Sequence, residues 1–520
     1  MINIKIFKKK INAISICNQA LKKFNIPNFW SNKIIKEINT LKNKTFKNNF
    51  KSRKDLRNIS FITIDEKDSY DFDDAIYCYK IKNGFQWKLL VAISDVSFYV
   101  KKNSFLDKEA FNRGTSIYFP LKVIPMFPEE LSTNMFSLLP NQEKFCIICE
   151  MTLSNKGDLL SYKHYKAVIR SHARLTYSNV IKLWKKNNFY KKKFSNIRDN
   201  LKNLYFLNKI LSKNKNLKKM ILFQNNEPIF IFDTYFKIKK ILTKKKNKAH
   251  NLIESCMILA NKSTAILLNK YNVFSLFRNH EYPNDIKIKN FRNLLKKFNL
   301  ILTGGKKPLL NDYFKLFYKI RSKPYKEIIE LALLKSTKKA FYSEKNIGHF
   351  GLAEKFYTHF TSPIRRYSDL TVHRAVKFFL KNKNKKKLYN INSKKSFSFN
   401  LKDFKKIGKK CSITEKRADK AYKFVIEVLK LEYMKKKIGK SFLGIISHIT
   451  EFGFFVRLNS FFIEGLVHVS QLKDDYYYYN KKNMTLHGKR SKKKFSIGEK
   501  VFVKIISIQK RNKTMNLSLL

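Results

Sequence analysis

The sequence predicts an α+β chain: a large mixed domain, strands first and helices after, followed by a small β-barrel. Three observations carry this. Short apolar or alternating runs, rich in β-branched and aromatic residues, begin at Ile59 and continue to about Ser171. Helical runs then dominate from about Asn179 to Lys437. The last 80 or so residues return to short alternating strands. With 520 residues, 44% apolar and 14% aromatic, the chain can bury a sizeable core. A prior of about 150 residues per domain allows three or four domain-equivalents.

Residues 1 to about 55 are expected to be helical, because "WSNKIIKEINTLKN" repeats apolar positions at three- and four-residue spacing. "ISFITID", "AIYCYKIK", "WKLLVAISDV", "KFCIICEMTLS" and "LLSYKHYKAVIRS" read as strands. "AHNLIESCMILANKSTAILLNKY" and "KEIIELALLKSTKKAFY" read as helices. Residues 380–400 have low complexity and read as a surface loop. In the last part, "SFLGIISHITEFGFFVRL", "FFIEGLVHVSQL", "EKVFVKIISIQK" and "TMNLSLL" supply five short strands, which predicts a barrel of the OB type. The run "YYYYNKKNMTLHGKRSKKKF" reads as a turn and charge run between them. No internal repeat is present. The expected division is a helical segment 1–55, a mixed domain 56–437 and a barrel 438–520.

The net charge is +71, from 109 Lys and Arg against 38 Asp and Glu. Such a charge attracts polyanions, nucleic acid above all. Part of it follows from a composition rich in Lys, Asn, Ile, Phe and Tyr. Of the six cysteines, only Cys146 and Cys149 form a CxxC, and no second pair or nearby histidines complete a zinc set. That run reads as a core strand. No apolar stretch reaches the ~18 residues of a membrane span. Unpaired thiols and no secretory signal lead us to expect a cytoplasmic protein. The cationic N-terminus is read as a lysine-rich amphipathic helix in preference to a transit peptide.

Against this basic background, six of the ten residues from Asp65 to Asp74 in "TIDEKDSYDFDDAI" are acidic. Asp65 ends an apparent strand, and Asp71, Asp73 and Asp74 follow closely. If Asp71–Phe72–Asp73 is extended, its two carboxylates point the same way. Carboxylates gathered this closely repel one another, and a divalent cation removes that penalty. Hard oxygen ligands select Mg²⁺, Mn²⁺ or Ca²⁺. The calcium-loop pattern is not met. Magnesium, held by few carboxylates with substrate phosphate completing its shell, fits better. The alternative is a solvated acidic turn. A second constellation, "YTHFTSPIRRYSDLTVHRAV", places Arg365 and Arg366 after Pro363. Guanidinium groups match phosphate oxygens. The alternative there is a helix start with solvated arginines.

In chain order, "TIDEKDSYDFDDAIYC", "NRGTSIYFP", "SHARLTY", "IESCMILAN", "GHFGL", "HFTSPIRRYSDLTVHRA" and "EKRADKA" resemble the catalytic RNB domain of the bacterial ribonuclease R family. The terminal "GFFVRL…IEGLVHVS" resembles that family's OB-fold RNA-binding domain, of the ribosomal S1-like type. The resemblance covers about residues 20–520. It implies a processive 3′→5′ hydrolytic exoribonuclease that releases nucleoside 5′-monophosphates, using Mg²⁺ with Mn²⁺ as a substitute. RNA decay and 3′-end maturation are the implied settings. The implied partner is the single-stranded 3′ end of RNA, with no membrane and no obligate protein partner, the chain acting as a monomer. Asp65, Asp71, Asp73 and Asp74 are implied as metal ligands, Asp65 and Asp74 the surest, with Asp71 and Asp73 holding a second metal or positioning the attacking water. Arg365 would hold the scissile phosphate, with Arg366 beside the RNA and Glu415 near the substrate end as a further catalytic residue. Tyr118 would stack on the terminal base, with Tyr177 close by. In the barrel, Phe452, Phe455 and His468 match base-stacking positions, and Lys513 would meet a phosphate. The alternative function is a non-catalytic RNA-binding protein or RNA chaperone derived from such a nuclease.

The sequence also departs from the family. Glu66 stands where Gly is usual, Tyr70 where Arg is usual and Ser368 where Pro is usual. Two cold-shock-type domains ordinarily precede the RNB domain, whereas here about 55 residues precede the part that resembles it. The basic tail that customarily follows the barrel is not found. None of these departures removes an implied ligand.

Overall fold

In the computed structural model the described residues are 13–43, 50–81, 85–185, 195–214, 228–243, 246–323, 325–382, 400–481, 485–509 and 512–520. The low-complexity run expected as a loop lies, from 383 to 399, outside them.

The strand-rich half gives β1 (Lys54–Asp55), β2 (Phe61–Asp65), β3 (Asp74–Lys80), β4 (Gln86–Ser94), the hairpin β5 (Ile117–Phe119) and β6 (Lys122–Ile124), β7 (Glu143–Ser154) and β8 (Leu159–Thr176). The main sheet has the order β1-β8-β2-β3-β4-β7. The 18-residue β8 closes it. Its first part pairs antiparallel with β7, and its last residues, Ser171 to Thr176, pair parallel with β2. Both faces are covered, which explains the near-continuous apolar run of β7. Cys146 and Ile148 enter one core with Phe61, Phe72 and Ala92. Ile147, Cys149 and Met151 enter the other, against the helices. The CxxC is therefore core, and both thiols are buried and unpaired.

The helical half brings Arg198–Lys213, Lys248–Lys270 and Tyr367–Asn382 against that second face. It also contains strands: a hairpin of β9 (Pro228–Phe232) and β10 (Ile238–Thr243), and a pair of β11 (Phe277–Asn279) and β12 (Phe341–Ser343). The two N-terminal helices do not stand apart as a segment. Ala13–Lys23 packs Ile16, Cys17 and Leu21 against Ala421, Val425 and Leu429, and Asn32–Lys42 sends Ile34, Ile38 and Leu41 into the main core.

The 35-residue helix Leu401–Lys435 links the two domains. Asn400 caps it, accepting from the Asp403 amide while Asp403 accepts from the Asn400 amide. Its far end contributes Leu431 and Met434 to the barrel core. The barrel is closed in the order β13 (Ser441–Thr450), β14 (Gly453–Leu458), β15 (Ile463–His468), β20 (Thr514–Leu519), β19 (Lys500–Gln509), as the five alternating runs predict. The charge run read as a turn folds instead as a three-stranded sheet of β16 (Tyr477–Asn480), β17 (Thr485–Gly488) and β18 (Lys494–Phe495). Among the described residues, no helix is long and apolar enough to cross a membrane.

A buried charge cluster ties sheet to helix. Asp95, just past β4, accepts from Arg53 at 2.7 Å and from Lys377 at 2.9 Å. Burial alone would raise its pKa, but Lys377 and Arg53 outweigh burial and hold it well below the usual carboxylate range. Its contribution to stability is therefore present above the unfolded value and is lost as pH falls below about 4. Removing the anion strands two buried cations. Asp95→Asn is expected to lower unfolding free energy by roughly 3–5 kcal/mol near neutral pH. Chemical denaturation should show this, with the gap to the parent narrowing in acid.

Candidate active site

The acidic motif is a hairpin mouth. β2 and β3 pair antiparallel at Ile62 and Ile76, so Asp65, the last residue of β2, lies beside the first residues of β3. The segment 66–73 between them is pinned from three directions. Ser137 Oγ accepts from the Phe72 amide and donates to the Tyr70 carbonyl, both at 2.9 Å. Phe72 itself is buried in the core, leaving Asp71 and Asp73 on the site side. Arg174, on β8, donates through Nη2 to the carbonyls of Glu66 (3.0 Å), Lys67 (2.6 Å) and Ser69 (3.2 Å). The Ile364 amide donates to Asp73 Oδ1 at 2.8 Å.

That last bond brings in the second motif. Asp369 accepts from the Ser362 amide at 2.9 Å and takes both ends of the Arg366 guanidinium, at 2.8 and 2.7 Å. This rigid turn presents Arg365, whose Nε lies 3.4 Å from Asp73 Oδ2 and whose Nη2 donates to Ser362 Oγ at 2.8 Å. The Arg365 carbonyl in turn accepts from the Ser116 amide at 2.9 Å. Gly114 makes this junction possible. Its φ is +74°, and a Cβ there would meet Thr414 Oγ1 at 2.0 Å, so only glycine fits.

The carboxylates are strongly perturbed. Burial, then Asp74 and Asp71, raise the pKa of Asp65 well above its ordinary value, partly offset by Arg174 and Arg365. Burial and Asp73 push Asp74 up to about 7, against Arg365. Asp73 is raised by burial first, and its Oδ2 is buried without a hydrogen bond. Two aromatics border the group. Tyr118, 41% exposed, donates its hydroxyl to Asp71 Oδ2 at 2.5 Å. Tyr177 follows Thr176, the residue paired with Asp65, and stacks on His250 with centroids 3.8 Å apart. Burial, Asp65 and Asp74 raise its hydroxyl pKa.

Asp65, Asp71, Asp73, Asp74, Arg365, Tyr118 and Tyr177 are thus gathered. Three expected residues are placed differently. Both Glu415 oxygens accept from Arg278, at 2.6 and 2.9 Å, outside the carboxylate group. Arg366 is committed to Asp369 through both ends of its guanidinium, with the Asp73 charge also acting on it. Lys513 pairs with Glu427 at 2.6 Å and lies over the Phe424 ring, held against the linking helix. On the barrel, Phe452 is 47% exposed and sits edge-on to Phe455, with His468 exposed opposite Gly453. These three share one face. Sequence reading missed Arg174, Ser137 and His250. Arg174 lies inside the run "SHARLTY", and only the parallel pairing of β8 with β2 reveals its task.

Among the described residues, no three His, Cys, Asp or Glu side chains are already placed as a metal cage. Buried, mutually repelling carboxylates beside an unsatisfied Asp73 oxygen nevertheless suit a divalent ion that takes one or two protein carboxylates and completes its shell from phosphate and water.

Fold and site together define a two-domain enzyme: an acidic, arginine-flanked sheet mouth joined to an oligonucleotide-binding barrel. Comparison with known proteins agrees. The RNB domain family matches residues 53–382, and the S1 RNA binding domain matches residues 435–520. Ribonuclease R of Buchnera aphidicola subsp. Schizaphis graminum is 47% identical over 518 residues, covering 99% of this chain and 70% of that protein. Mycoplasma genitalium RNase R in complex with ribose methylated single-stranded RNA superposes with a TM-score of 0.88 at 29% identity, covering 98% of this chain and 78% of that one. The same enzyme in complex with double-stranded RNA gives 0.83 at 27% identity, covering 98% and 83%. The chain belongs to the ribonuclease R family of RNB-domain enzymes, which are 3′→5′ hydrolytic exoribonucleases.

Arg174 touches no carboxylate of the site directly in this arrangement, yet it holds the loop that spaces them. Arg174→Ala is expected to lower kcat on single-stranded RNA by about tenfold to a hundredfold, as misplacement of catalytic groups does. KM should change little. Steady-state kinetics on a labelled oligoribonucleotide checks this.

Proposed function

We propose that the chain shortens RNA processively from the 3′ end, releasing nucleoside 5′-monophosphates, with Asp65 and Asp74 as the surest ligands of Mg²⁺. The observation that best supports this is the meeting of the acidic hairpin with Arg365, 3.4 Å from Asp73. When bound, the metal would supply charge neutralisation at phosphorus and an activated water. Asp71 and Asp73 would complete the binding group and orient the water. Arg365, only half-buried, would grip the scissile phosphate and stabilise the charge that develops there. Its bond to Ser362 and its contact with Asp73 preorganise it for that task. Mn²⁺ would substitute for Mg²⁺, since both are hard octahedral ions.

Tyr118 would provide the stacking surface for the last base. Its hydroxyl bond to Asp71 fixes the ring, and stacking tolerates any base, as a general degrader requires. Tyr177, backed by His250, would bound the other side. Phe452, Phe455 and His468 would guide incoming single-stranded RNA across the barrel. Single-stranded 3′ ends would be the preferred substrate in RNA decay and 3′-end maturation, and duplex handling would follow the relative captured with double-stranded RNA. Glu415 would act at one remove, by holding Arg278.

Incubation of 5′-labelled single-stranded RNA with the protein and Mg²⁺ is expected to give shortening from the 3′ end that EDTA abolishes. No EDTA-sensitive shortening by folded protein would sink the proposal. Asp74→Asn is expected to keep RNA binding while cleavage falls about a hundredfold or more, since metal-assisted charge stabilisation is worth several kcal/mol. Parallel binding and cleavage assays separate the two effects.

A further inference from the structure

The three-stranded sheet β16–β18 interrupts the barrel between β15 and β19 and has two unlike faces. Inward, Tyr477 and Phe495 pack 5.4 Å apart, Phe495 meets Phe454 of the barrel at 4.9 Å, and Leu486 is fully buried. Side chains alternate along a strand, so the neighbours of these residues face outward. Register sets Tyr478 opposite His487 and His487 opposite Lys494, giving one outward row across all three strands. The Tyr478 and His487 rings are stacked, with centroids 5.7 Å apart and planes at 21°. Tyr476, two residues before Tyr478 and so on the same side, is 75% exposed, and its carbonyl accepts from the Lys489 amide.

The charge on this element is one-sided. Residues 473–494 hold eight Lys or Arg and two Asp. Both acids are engaged within the sheet. Asp474 pairs with Lys493 at 2.7 Å, and Asp475 accepts from the Arg490 and Ser491 amides at 2.8 and 2.6 Å. Lys489, Arg490, Lys492 and Lys494 are exposed. The element lies close to the catalytic domain, since just after β18 a Cβ on Gly498 would meet the Phe298 ring at 3.0 Å.

Exposed aromatic rings beside unopposed cations are the chemistry that takes an unpaired base on the ring and its phosphate on the cation. We propose that this outer face is a second single-stranded RNA site, separate from the Phe452–Phe455–His468 face, with Tyr476 and Tyr478 stacking bases and Lys489, Lys492 and Lys494 meeting phosphates. It holds RNA upstream of the segment in the active site. The two rings lie about 7 Å apart along the strand, two residues of rise, which suits successive unstacked nucleotides. The inference rests on RNA being the substrate.

The test uses the full chain. In an Asp74→Asn background, which stops degradation, binding is measured for an RNA of about 4 nucleotides, at the lower limit of what one OB barrel covers, and for one of about 30 nucleotides, well beyond it. Tyr476→Ala with Tyr478→Ala is expected to weaken the long RNA about tenfold and to leave the short one unchanged. With Asp74 restored, the tyrosine pair should shorten the short RNA at the parental rate, which shows that it folds. Replacing Lys489, Lys492 and Lys494 by Gln should flatten the salt dependence of long-RNA binding by about 0.7 for each phosphate no longer neutralised. Parental binding of the long RNA by the tyrosine pair overturns the proposal, whatever the lysines do. A parent chain that binds neither RNA would overturn the functional reading beneath it.

Discussion

The hydrogen bond from the Ile364 amide to the buried Asp73 carboxylate governs the site. It joins segments 291 residues apart, one a sheet hairpin and the other a turn before a helix. A charge-assisted bond of this kind contributes roughly 1.5–3 kcal/mol when buried. It sets the distance between Arg365 and the acidic group, so the site's electrostatics follow from it. Around it the protein tolerates an unfavourable arrangement. Asp65 and Asp74 are buried together and each is pushed toward its protonated form. Arg174 and Arg365 relieve part of that repulsion. Stability is given up here, which is the usual balance between a functional site and the rest of a fold.

The supports of this arrangement are less conspicuous than the site. Ser137 holds the backbone on both sides of Asp71, Arg174 holds three carbonyls of the loop, and Asp369 holds the turn through Arg366. None of them need touch the reacting atoms. They keep the carboxylates and the guanidinium from relaxing away from one another, so that little reorganisation remains when substrate arrives.

The acidic run and the arginine turn were legible in the sequence because their chemistry is local: many carboxylates in ten residues, two guanidiniums after a proline. The end of β2 was legible too, since its apolar run stops at Asp65. What local pattern does not carry is the partner of each charge. Glu415, Arg366 and Lys513 were assigned to the substrate from their motifs, and the fold gives each an ion pair with a residue on the same or a packed element. Arg174 was visible but unassigned for the converse reason, as its three acceptors lie more than a hundred residues away. The five barrel strands announced themselves by alternation. The sheet β16–β18 did not, because its inward positions, Tyr477, Leu486 and Phe495, are separated by lysines and a run of four tyrosines that hides the period.

The long strand β8 has a consequence for biogenesis. Thr176 must reach Asp65 before that end of the sheet exists, and Ile364 must arrive before Asp73 is anchored. During synthesis, the acidic hairpin emerges 291 residues ahead of the turn that completes it. A nascent chain still tethered to the ribosome thus carries the acidic hairpin before the arginine turn that anchors it. The topology itself delays assembly of this junction until most of the chain has been translated.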